Sequence, residues 1–421
     1  MATILAYTSP GLGHCYPISA LLVELRNRGH RVAIRTLTAG VGTALDLGLD
    51  AAAIDPRIEA ITMDDWTASN PRAKLRFAFD AFAQRSRFEI GDLRSAIDDV
   101  CPDVLIVDCN CWGAAAVADA GTTPWLAFWP FPPYLRSRGA PPYGPGLRPL
   151  KGHLGRVRDT ALRPVVTGTV EKFMLPRLNR IRSQAGAVTV SSADEFIRRA
   201  ELMLVATAEP FEYPHPDWDD SVQMVGPCLL DPATDPPDWL DAIEDPIVLV
   251  STSSEKQDDS GLALTTIAAL ANEPVHVVAT LPAGLPTGMS ALTNATVCEF
   301  IPHGPVLDRA VCAVTHGGMG VTQKALSRGV PVCVVPYGRD QLEVARRVEV
   351  SGCGTRLPPR RLSAQRLRDK IKQAMAMTAG ARRVAEGFAA TGGVARGADL
   401  VEQRLLSRSA CPGPEATPRS S

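Results

Sequence analysis

The chain alternates short, wholly apolar runs with segments in which apolar residues recur every three or four positions. The first run, "TILAYT", is typical of a buried strand, and the following "PISALLVELRNRG" places its apolar residues on one face of a helix that ends near Gly29. The runs "HRVAIRT", "DVLIVD" and "PWLAFW" repeat the strand pattern with helical segments between them. Repeated strand–helix–strand units predict a parallel sheet with helices on both faces.

A Pro- and Asp-rich stretch, "DPATDPPDWLDAIED", is typical of an interdomain linker, and the runs after it ("IVLVST", "VHVVAT", "AVCAVT", "PVCVVP") begin a second series of the same kind. We therefore predict an α/β protein whose two Rossmann-like parallel-sheet domains face each other across a cleft at the carboxyl ends of their strands. The predicted domains are residues 1–228 and 246–385, joined by a linker over 229–245. A helix over 386–406 is expected to pack back toward the first domain, and the polar residues 407–421 are expected to form a disordered tail.

Charge and composition exclude several classes of protein. The 421 residues include 44 Lys and Arg against 45 Asp and Glu, without a basic tract that would indicate nucleic-acid binding. No segment supplies the roughly 18 unbroken apolar residues that span a bilayer, and the N-terminus lacks a signal-peptide pattern, so we expect a cytoplasmic protein. The ten cysteines are scattered. The "CNC" at 109–111 lacks a second pair of ligands, so we predict buried, reduced thiols and no metal centre.

The first candidate site follows the first strand, in "TSPGLGHCYP". Its two glycines begin a dinucleotide fingerprint, but the third glycine is missing before Pro17, which disfavours a nicotinamide dehydrogenase. His14 lies where the chain leaves the sheet, and Asp108 ends the strand "DVLIVD" at the same edge. If the two strands are neighbours, Asp108 can accept a hydrogen bond from one imidazole nitrogen while the other nitrogen takes a proton. A hydrogen-bonded turn histidine and a helix-capping aspartate are the alternatives.

The second candidate site is "VCAVTHGGMGVTQKALSRG", which has the pattern of a strand, a tight turn and a helix. Glycines let a ligand approach the backbone closely, and the start of a helix favours an anion through its unpaired N–H groups. His316 between the strand and these glycines therefore predicts an anion site. An ordinary strand-to-helix turn with a histidine at its edge is the alternative.

Taken together, these motifs resemble the family 1 glycosyltransferases, particularly the bacterial enzymes that decorate macrolides, enediynes, glycopeptides and other natural products. The resemblance covers most of residues 1–405 and is strongest over 298–357, from "CEFIPHGPVLDRAVCAVTHGGMG" to "PYGRDQLEVARRVEVSGCGTRL". The segment around His14 matches the G-H-x-x-P turn of that family. The resemblance implies the GT-B fold, in which two Rossmann-like domains face each other.

The resemblance also implies roles for individual residues. His14 would be the general base that deprotonates the acceptor hydroxyl, and Asp108 would orient it. The donor nucleotide sugar would be bound by a set at the strand ends of the second domain: Ser253, Ser254, His303, His316, Gly318, Met319, Gly320, Val321, Asp340 and Gln341. Within this set His316 and the amides near Gly318 would hold the diphosphate, His303 would lie beside the nucleobase, and Asp340 with Gln341 would bind the transferred sugar.

Aromatic residues near Asp108 predict where the acceptor binds. They are Phe79, Trp112, Phe128, Trp129 and Phe131. Such residues can line a pocket for a flat, apolar aglycone, although packing in the core is the alternative for each of them.

At Lys324 the family often has a glutamate that binds the ribose hydroxyls, and a lysine has donors only. We expect Lys324 on the solvated face of its helix rather than at a phosphate. The loss of that carboxylate matters less for a 2′-deoxyribose, so dTDP-sugars are expected beside UDP-sugars as donors.

We therefore expect an inverting, metal-independent glycosyltransferase that needs no cofactor and moves a sugar to a hydroxyl of a hydrophobic polyketide, macrolide or aromatic aglycone. We expect it to be a monomer or homodimer. A non-catalytic nucleotide-sugar-binding partner, a lipid glycosyltransferase and a nucleotide-sugar epimerase are the alternatives.

Overall fold

A computed structural model describes residues 1–68, 70–231, 236–254, 257, 259–282, 284 and 294–407 of the protein. Within these residues the chain forms two parallel β-sheets, each with helices packed on it, which confirms the predicted α/β class and the two Rossmann-like domains. Apart from Ser407, the predicted tail lies outside the described part of the chain. Among the helices described, none combines the length and the apolar character needed to cross a membrane.

The first sheet has seven strands in the order β3-β2-β1-β4-β5-β6-β7, all paired in parallel. The strands are β1 (Thr3–Tyr7), β2 (Arg31–Thr36), β3 (Asp50–Ala53), β4 (Val104–Asp108), β5 (Trp125–Trp129), β6 (Leu202–Val205) and β7 (Val222–Met224). The helices of this domain are α1 (Leu12–Asn27), α2 (Thr38–Asp46), α3 (Pro56–Glu59), α4 (Pro71–Val100), α5 (Trp112–Ala120), α6 (Gly152–Ala185) and α7 (Ala193–Ile197), with a 3₁₀ turn at Asp65–Thr67.

The second sheet has six strands in the order β10-β9-β8-β11-β12-β13, again all parallel. The strands are β8 (Ile247–Ser251), β9 (His276–Thr280), β10 (Ala295–Cys298), β11 (Ala310–Thr315), β12 (Val332–Val334) and β13 (Gly354–Arg356). The helices are α8 (Asp238–Asp241), α9 (Ser260–Leu270), α10 (His303–Leu307), α11 (Met319–Ser327), α12 (Gln341–Ser351), α13 (Ala364–Met375), α14 (Thr378–Thr391) and α15 (Gly393–Val401).

Local sequence explains where several of these elements begin and end. The central strands, such as β6 and β8, are apolar on both faces and buried throughout, as strands covered by helices on both sides must be. Helix α4 begins where the side chain of Asn70 accepts from the backbone N–H of Ala73 and Pro71 occupies the first turn. Helix α13 begins in the same way at Ser363.

The C-terminal region returns to the first domain. The predicted helix over 386–406 is broken by Gly392, whose φ of 98° lies in the left-handed region, into α14 and α15. Helix α15 lies against α1, and Arg28 on the α1 side pairs with Asp399 at 2.7 Å. The described part of the chain therefore ends on the domain in which it began.

Both sheets reverse their strand order at one position, between β1 and β4 in the first and between β8 and β11 in the second. Open parallel sheets bind ligands in the crevice beyond the carboxyl ends of the two strands at such a reversal. The loops that follow these four strands contain His14, Asp108, Ser253 and His316. The topology therefore places four of the predicted site residues at the two crevices.

Candidate active site

His14 and Asp108 form a hydrogen-bonded pair at the reversal point of the first sheet. Because β1 and β4 are paired in register up to Tyr7 and Val107, the ends of the two strands are adjacent. Nδ1 of His14, in the first turn of α1, lies 2.6 Å from Oδ2 of the buried Asp108. A carboxylate accepts only, so this contact puts the proton of a neutral imidazole on Nδ1 and the lone pair on Nε2.

Residues on both sides orient the carboxylate of Asp108. The backbone N–H of Asn110 donates to Oδ1 at 2.8 Å, and the hydroxyl of Ser9 donates to Oδ2 at 3.4 Å. The side chain of Asn110 also contacts the histidine, with Nδ2 3.2 Å from Nε2 of His14. Sequence reasoning missed Asn110, although its position two residues beyond a strand-ending aspartate was a usable signal.

The glycine turn between β11 and α11 is built around His316. Gly317 has a φ of 96°, which favours glycine, and a Cβ on Gly318 would lie 2.4 Å from Nε2 of His316. Nδ1 of His316 lies 3.4 Å from the carbonyl oxygen of Ser251, so Nε2 is the nitrogen turned toward the start of α11. Burial lowers the pKa of His316, and the negative charge of Asp259 opposes that shift.

The loop after β8 forms the other side of the same crevice. The backbone N–H of Ser253, which is buried, donates to Oδ2 of Asp259 at 2.6 Å, and that carboxylate also lies 4.0 Å from Nδ1 of His316. Ser254 is exposed. The structure therefore brings Ser253 and His316 together and leaves Ser254 at the rim.

Asp340 and Gln341 lie at the start of α12, where the two domains meet. Oε1 of Gln341 accepts from the backbone N–H groups of Tyr337 at 2.7 Å and Gly338 at 3.1 Å, which shapes the turn before the helix. Burial raises the pKa of Asp340, and the positive charge of Arg339 acts in the opposite direction, as a protonated His14 would. Asp340 is therefore within electrostatic reach of the histidine of the other domain, across the crevice.

Arg339 bridges the same junction, a contact that the sequence did not indicate. Its φ of 53° is unusual for a residue with a side chain, and its Nη2 lies 2.9 Å from Oδ1 of the buried Asp65 in the first domain. The Nζ of Lys74 lies 3.5 Å from the carbonyl oxygen of Tyr337 nearby. Two side chains of the first domain, Asp65 and Lys74, thus hold the turn of the second domain that carries Asp340.

His303 and Lys324 lie at the far side of the second-domain crevice. Nε2 of His303 is 3.1 Å from the hydroxyl of Thr280, and burial lowers the pKa of His303 to about 4, so the imidazole is neutral near pH 7. The prediction that Lys324 lies on a solvated helix face is wrong. Its Nζ lies 2.7 Å from Oδ1 of Asp231, and its side chain is only 17% exposed. Arg328 contacts the other oxygen of Asp231 at 2.8 Å.

Two further residues of the predicted donor set, at the start of α11, differ in burial. Met319 is 7% exposed and its side chain packs in the core of the second domain, so only its backbone can contribute to the predicted donor site. Val321 is half-buried, and a Cβ on Gly320 would meet nothing within 4 Å, so the first turn of α11 is open on that side.

Most of the predicted acceptor-binding aromatics are core residues instead. Trp112 is 1% exposed and packs on Phe79 at 5.4 Å between ring centroids, and Trp129 is 2% exposed. Phe128 is fully buried among the residues on the α1 side of the sheet. These four predictions are wrong as predictions of an open pocket, because these large aromatic side chains bury their area in the core of the first domain. Phe131 differs, since it is partly exposed and its ring lies edge-on to His14 at 5.8 Å.

A buried ionic cluster joins the two domains behind this crevice. Arg347 on α12 contacts Glu212 of the first domain at 2.7 Å and Glu343 at 2.8 Å. Oε1 of Glu343 accepts from the backbone N–H groups of Gly144 and Gly146, both at 2.8 Å. The loop that follows β5 is therefore attached to the same helix that begins with the predicted sugar-binding residues.

Two α/β domains with a histidine–aspartate pair at one crevice and a histidine–glycine turn at the facing one have the GT-B arrangement. Residues 264–396 match the family model of the erythromycin biosynthesis protein CIII-like C-terminal domain. The chain is 31% identical over 421 aligned residues to 4′-demethylrebeccamycin synthase of Lentzea aerocolonigenes, covering 95% of this chain and 99% of that protein. The chain therefore belongs to the family 1 glycosyltransferases of antibiotic biosynthesis, which are nucleotide-sugar-dependent enzymes.

Solved structures agree in fold. The glycosyltransferase of kitacinnamycin superposes with a TM-score of 0.73 at 23% identity, over 96% of this chain and 99% of that one. The glycosyltransferase VinC, in complex with DTDP, superposes with a TM-score of 0.69 at 20% identity, over 96% of this chain and all of that one. At these identities the likeness supports the fold alone.

Proposed function

We propose that the protein transfers a sugar from a UDP- or dTDP-sugar to a hydroxyl group of a hydrophobic natural product, with inversion at the anomeric carbon. The observation that carries this proposal is the 2.6 Å contact between His14 and Asp108 in a crevice that faces Asp340. A base on one domain and an anion turn on the other are the two groups that such a displacement requires.

Each step has a group to carry it. Nε2 of His14 takes the acceptor's O–H proton, and Asp108 stabilises the imidazolium that results. The acceptor oxygen then forms a bond to the anomeric carbon while the bond to the diphosphate oxygen breaks. The electron pair leaves with the phosphate, and His316 with the N–H groups at the start of α11 stabilises its charge. Attack from the face opposite the leaving group inverts the centre.

A metal is not required by this chemistry, because fixed N–H dipoles and a histidine can stabilise the departing phosphate. His14, Asp108 and Cys109 offer ligand atoms that lie within 4.8 Å of one another, so a metal-dependent variant of the reaction has a defined test. We expect that EDTA leaves the rate of transfer unchanged. Loss of activity that added Zn²⁺ or Mg²⁺ restores would contradict metal independence.

The direct test mixes the purified protein with UDP- and dTDP-sugars, with and without a polyphenol or a macrolide, and measures nucleotide release. Release that depends on the acceptor, with a product whose anomeric configuration is inverted by NMR, is the expected result. Binding of a nucleotide sugar without release under any condition would instead indicate a non-catalytic binding partner. Calorimetric titration with UDP and dTDP identifies the donor nucleotide.

A further inference from the structure

The Cys-Asn-Cys turn at 109–111 contacts the imidazole of His14 directly. In this turn the carboxamide of Asn110 is held at both ends. Its Nδ2 lies 3.2 Å from Nε2 of His14, and its Oδ1 lies 3.8 Å from Sγ of Cys109. Burial raises the pKa of Cys109 well above its usual value, so the thiol stays protonated and can donate to Oδ1.

The chemistry of the partners determines which end of the amide faces the histidine. Nδ1–H of His14 donates to Asp108, so Nε2 carries a lone pair, and of the two ends of the amide only the N–H end can face it favourably. The contacts therefore run in one direction, from the thiol of Cys109 through the carboxamide of Asn110 and the imidazole of His14 to the carboxylate of Asp108. The backbone N–H of Asn110 completes a ring by donating to the same carboxylate.

Helix α4 fixes the position of the helix that follows the Cys-Asn-Cys turn. Oε2 of Glu89, on α4, accepts from the backbone N–H of Gly113 at 2.8 Å, in the first turn of α5. A Cβ on Gly113 would lie 2.4 Å from the carbonyl oxygen of Ser86, so α4 and α5 are in close backbone contact there. Asn110 is therefore placed by packed helices, as a group that acts on a reacting atom must be.

We propose that Asn110 is a second catalytic side chain, which covers Nε2 of His14 in the absence of acceptor and then orients the acceptor's nucleophilic oxygen toward that nitrogen. The inference rests on the proposed function. The atom that Asn110 contacts is the one that must take the acceptor's proton, so the acceptor has to displace the amide from the lone pair. The displaced N–H remains beside the nucleophile, where it can hydrogen-bond to the incoming oxygen.

This arrangement also protects the donor sugar nucleotide from hydrolysis. A lone pair that is already hydrogen-bonded cannot activate a water molecule, so the sugar nucleotide is not hydrolysed while it waits for an acceptor. Removal of the carboxamide leaves space for water beside Nε2 of His14. The predicted signature is therefore a change in how the donor is partitioned between water and acceptor, rather than a uniform loss of rate.

The kinetic experiment compares the wild type with Asn110→Ala, measuring donor hydrolysis without acceptor and sugar transfer with it. We expect hydrolysis to rise and transfer to fall, so that the ratio of hydrolysis to transfer increases at least about tenfold, because positioning of the nucleophile is lost while the base remains. The matched control is Ser9→Ala, which removes a contact to Asp108 but none to the base, and should change both rates in proportion. A ratio in Asn110→Ala equal to that of the wild type would overturn the inference while leaving the proposed function intact.

A second measurement does not depend on activity. In ¹⁵N-histidine-labelled protein without substrate, the Nε2 resonance of His14, assigned with His14→Ala, should shift in Asn110→Ala toward that of an imidazole nitrogen that accepts no amide hydrogen bond. An unchanged resonance would overturn the proposed contact even if no donor had been found. A wild type that neither hydrolyses nor transfers any sugar would refute the proposed function, and the resonance would still decide the role of Asn110 at the imidazole.

Discussion

Glu212 of the first domain and Arg347 of the second form an ion pair, 2.7 Å between Oε1 and Nη2, in which both side chains are almost fully buried. Removal of the Glu212 charge leaves the buried Arg347 with the carboxylate of Glu343 but without its second carboxylate partner, in a low-dielectric environment. We expect Glu212→Gln to lower the free energy of unfolding by about 3 kcal/mol, measured by urea denaturation. The matched control is Glu349→Gln, since Glu349 pairs with Arg346 on the exposed side of the same helix and should contribute no more than about 1 kcal/mol.

The same ion pair predicts how the free energy of unfolding depends on pH. Burial opposes ionisation of Glu212, but the charge of Arg347 and the hydrogen bonds from His215 and Arg347 outweigh it and lower the pKa of Glu212 to about 2 from its usual 4.5. Because the folded-state pKa is the lower one, the stabilisation is complete above about pH 5 and is lost as the pH falls from 4.5 toward 2. The difference in unfolding free energy between the wild type and Glu212→Gln should therefore be constant from pH 7 to 5 and shrink below that. A difference that grew with acidification would contradict the assignment.

His14→Ala should lower the rate of sugar transfer by at least about 10² while leaving donor binding unchanged, because a general base contributes to the barrier and not to the ground state. Asp108→Asn should lower the rate as well, and the double variant should be little worse than His14→Ala alone, since the two side chains act as one unit. Steady-state kinetics and calorimetry measure the two quantities. An unchanged rate in His14→Ala would show that His14 is not the general base.

Substitutions in the glycine turn around His316 should lower the affinity for the nucleotide, whereas His14→Ala lowers the rate. In Gly318→Ala the new methyl group would have to displace the His316 ring, since it would start 2.4 Å from Nε2. We expect nucleotide affinity to fall at least about tenfold in Gly318→Ala and in His316→Ala, because a charge-assisted contact to phosphate is lost. Gly42→Ala, at a position with open space within 4 Å, controls for a general effect of the substitution. Calorimetry with the nucleotide should show no change for that control.

The ion pair between Asp65 and Arg339 predicts that a substitution in the first domain weakens donor binding in the second. Asp65→Ala removes the partner of the guanidinium beside Asp340, so we expect the KM for the nucleotide sugar to rise about tenfold with a smaller change in kcat. Asp64→Ala is the matched control. Asp64 is the exposed neighbour of Asp65, and among the described residues no contact joins it to Arg339. Equal kinetics for the two variants would show that the bridge does not support the donor site.

The fold and the order of the main elements could be predicted because the strands are buried on both faces and the helices are amphipathic. Both features appear in the spacing of apolar residues along the chain. The placement of His14 and Asp108 followed from one rule, that parallel strands end at a common edge, and the pairing of β1 with β4 satisfied it. Local sequence could not reveal Arg339 with Asp65, which are distant in the chain and meet only because the domains face each other.

The other four acceptor residues and Lys324 were mispredicted for a related reason. An aromatic residue that follows a strand has the same local pattern whether its ring lies beside His14, as that of Phe131 does, or packs in the core, as that of Trp112 does. Alternation along β5 separates Phe128 from Trp129, but the pattern does not tell which side is covered. Lys324 is paired because Asp231 reaches it from the connection between the domains, and a helical wheel contains no information on that partner.

The return of α15 to α1 means that the polypeptide crosses from one lobe to the other twice, first between β7 and α8 and again after α14. The polypeptide therefore connects the two lobes at two places. A protease nick in the first crossing would leave both fragments tethered through the second.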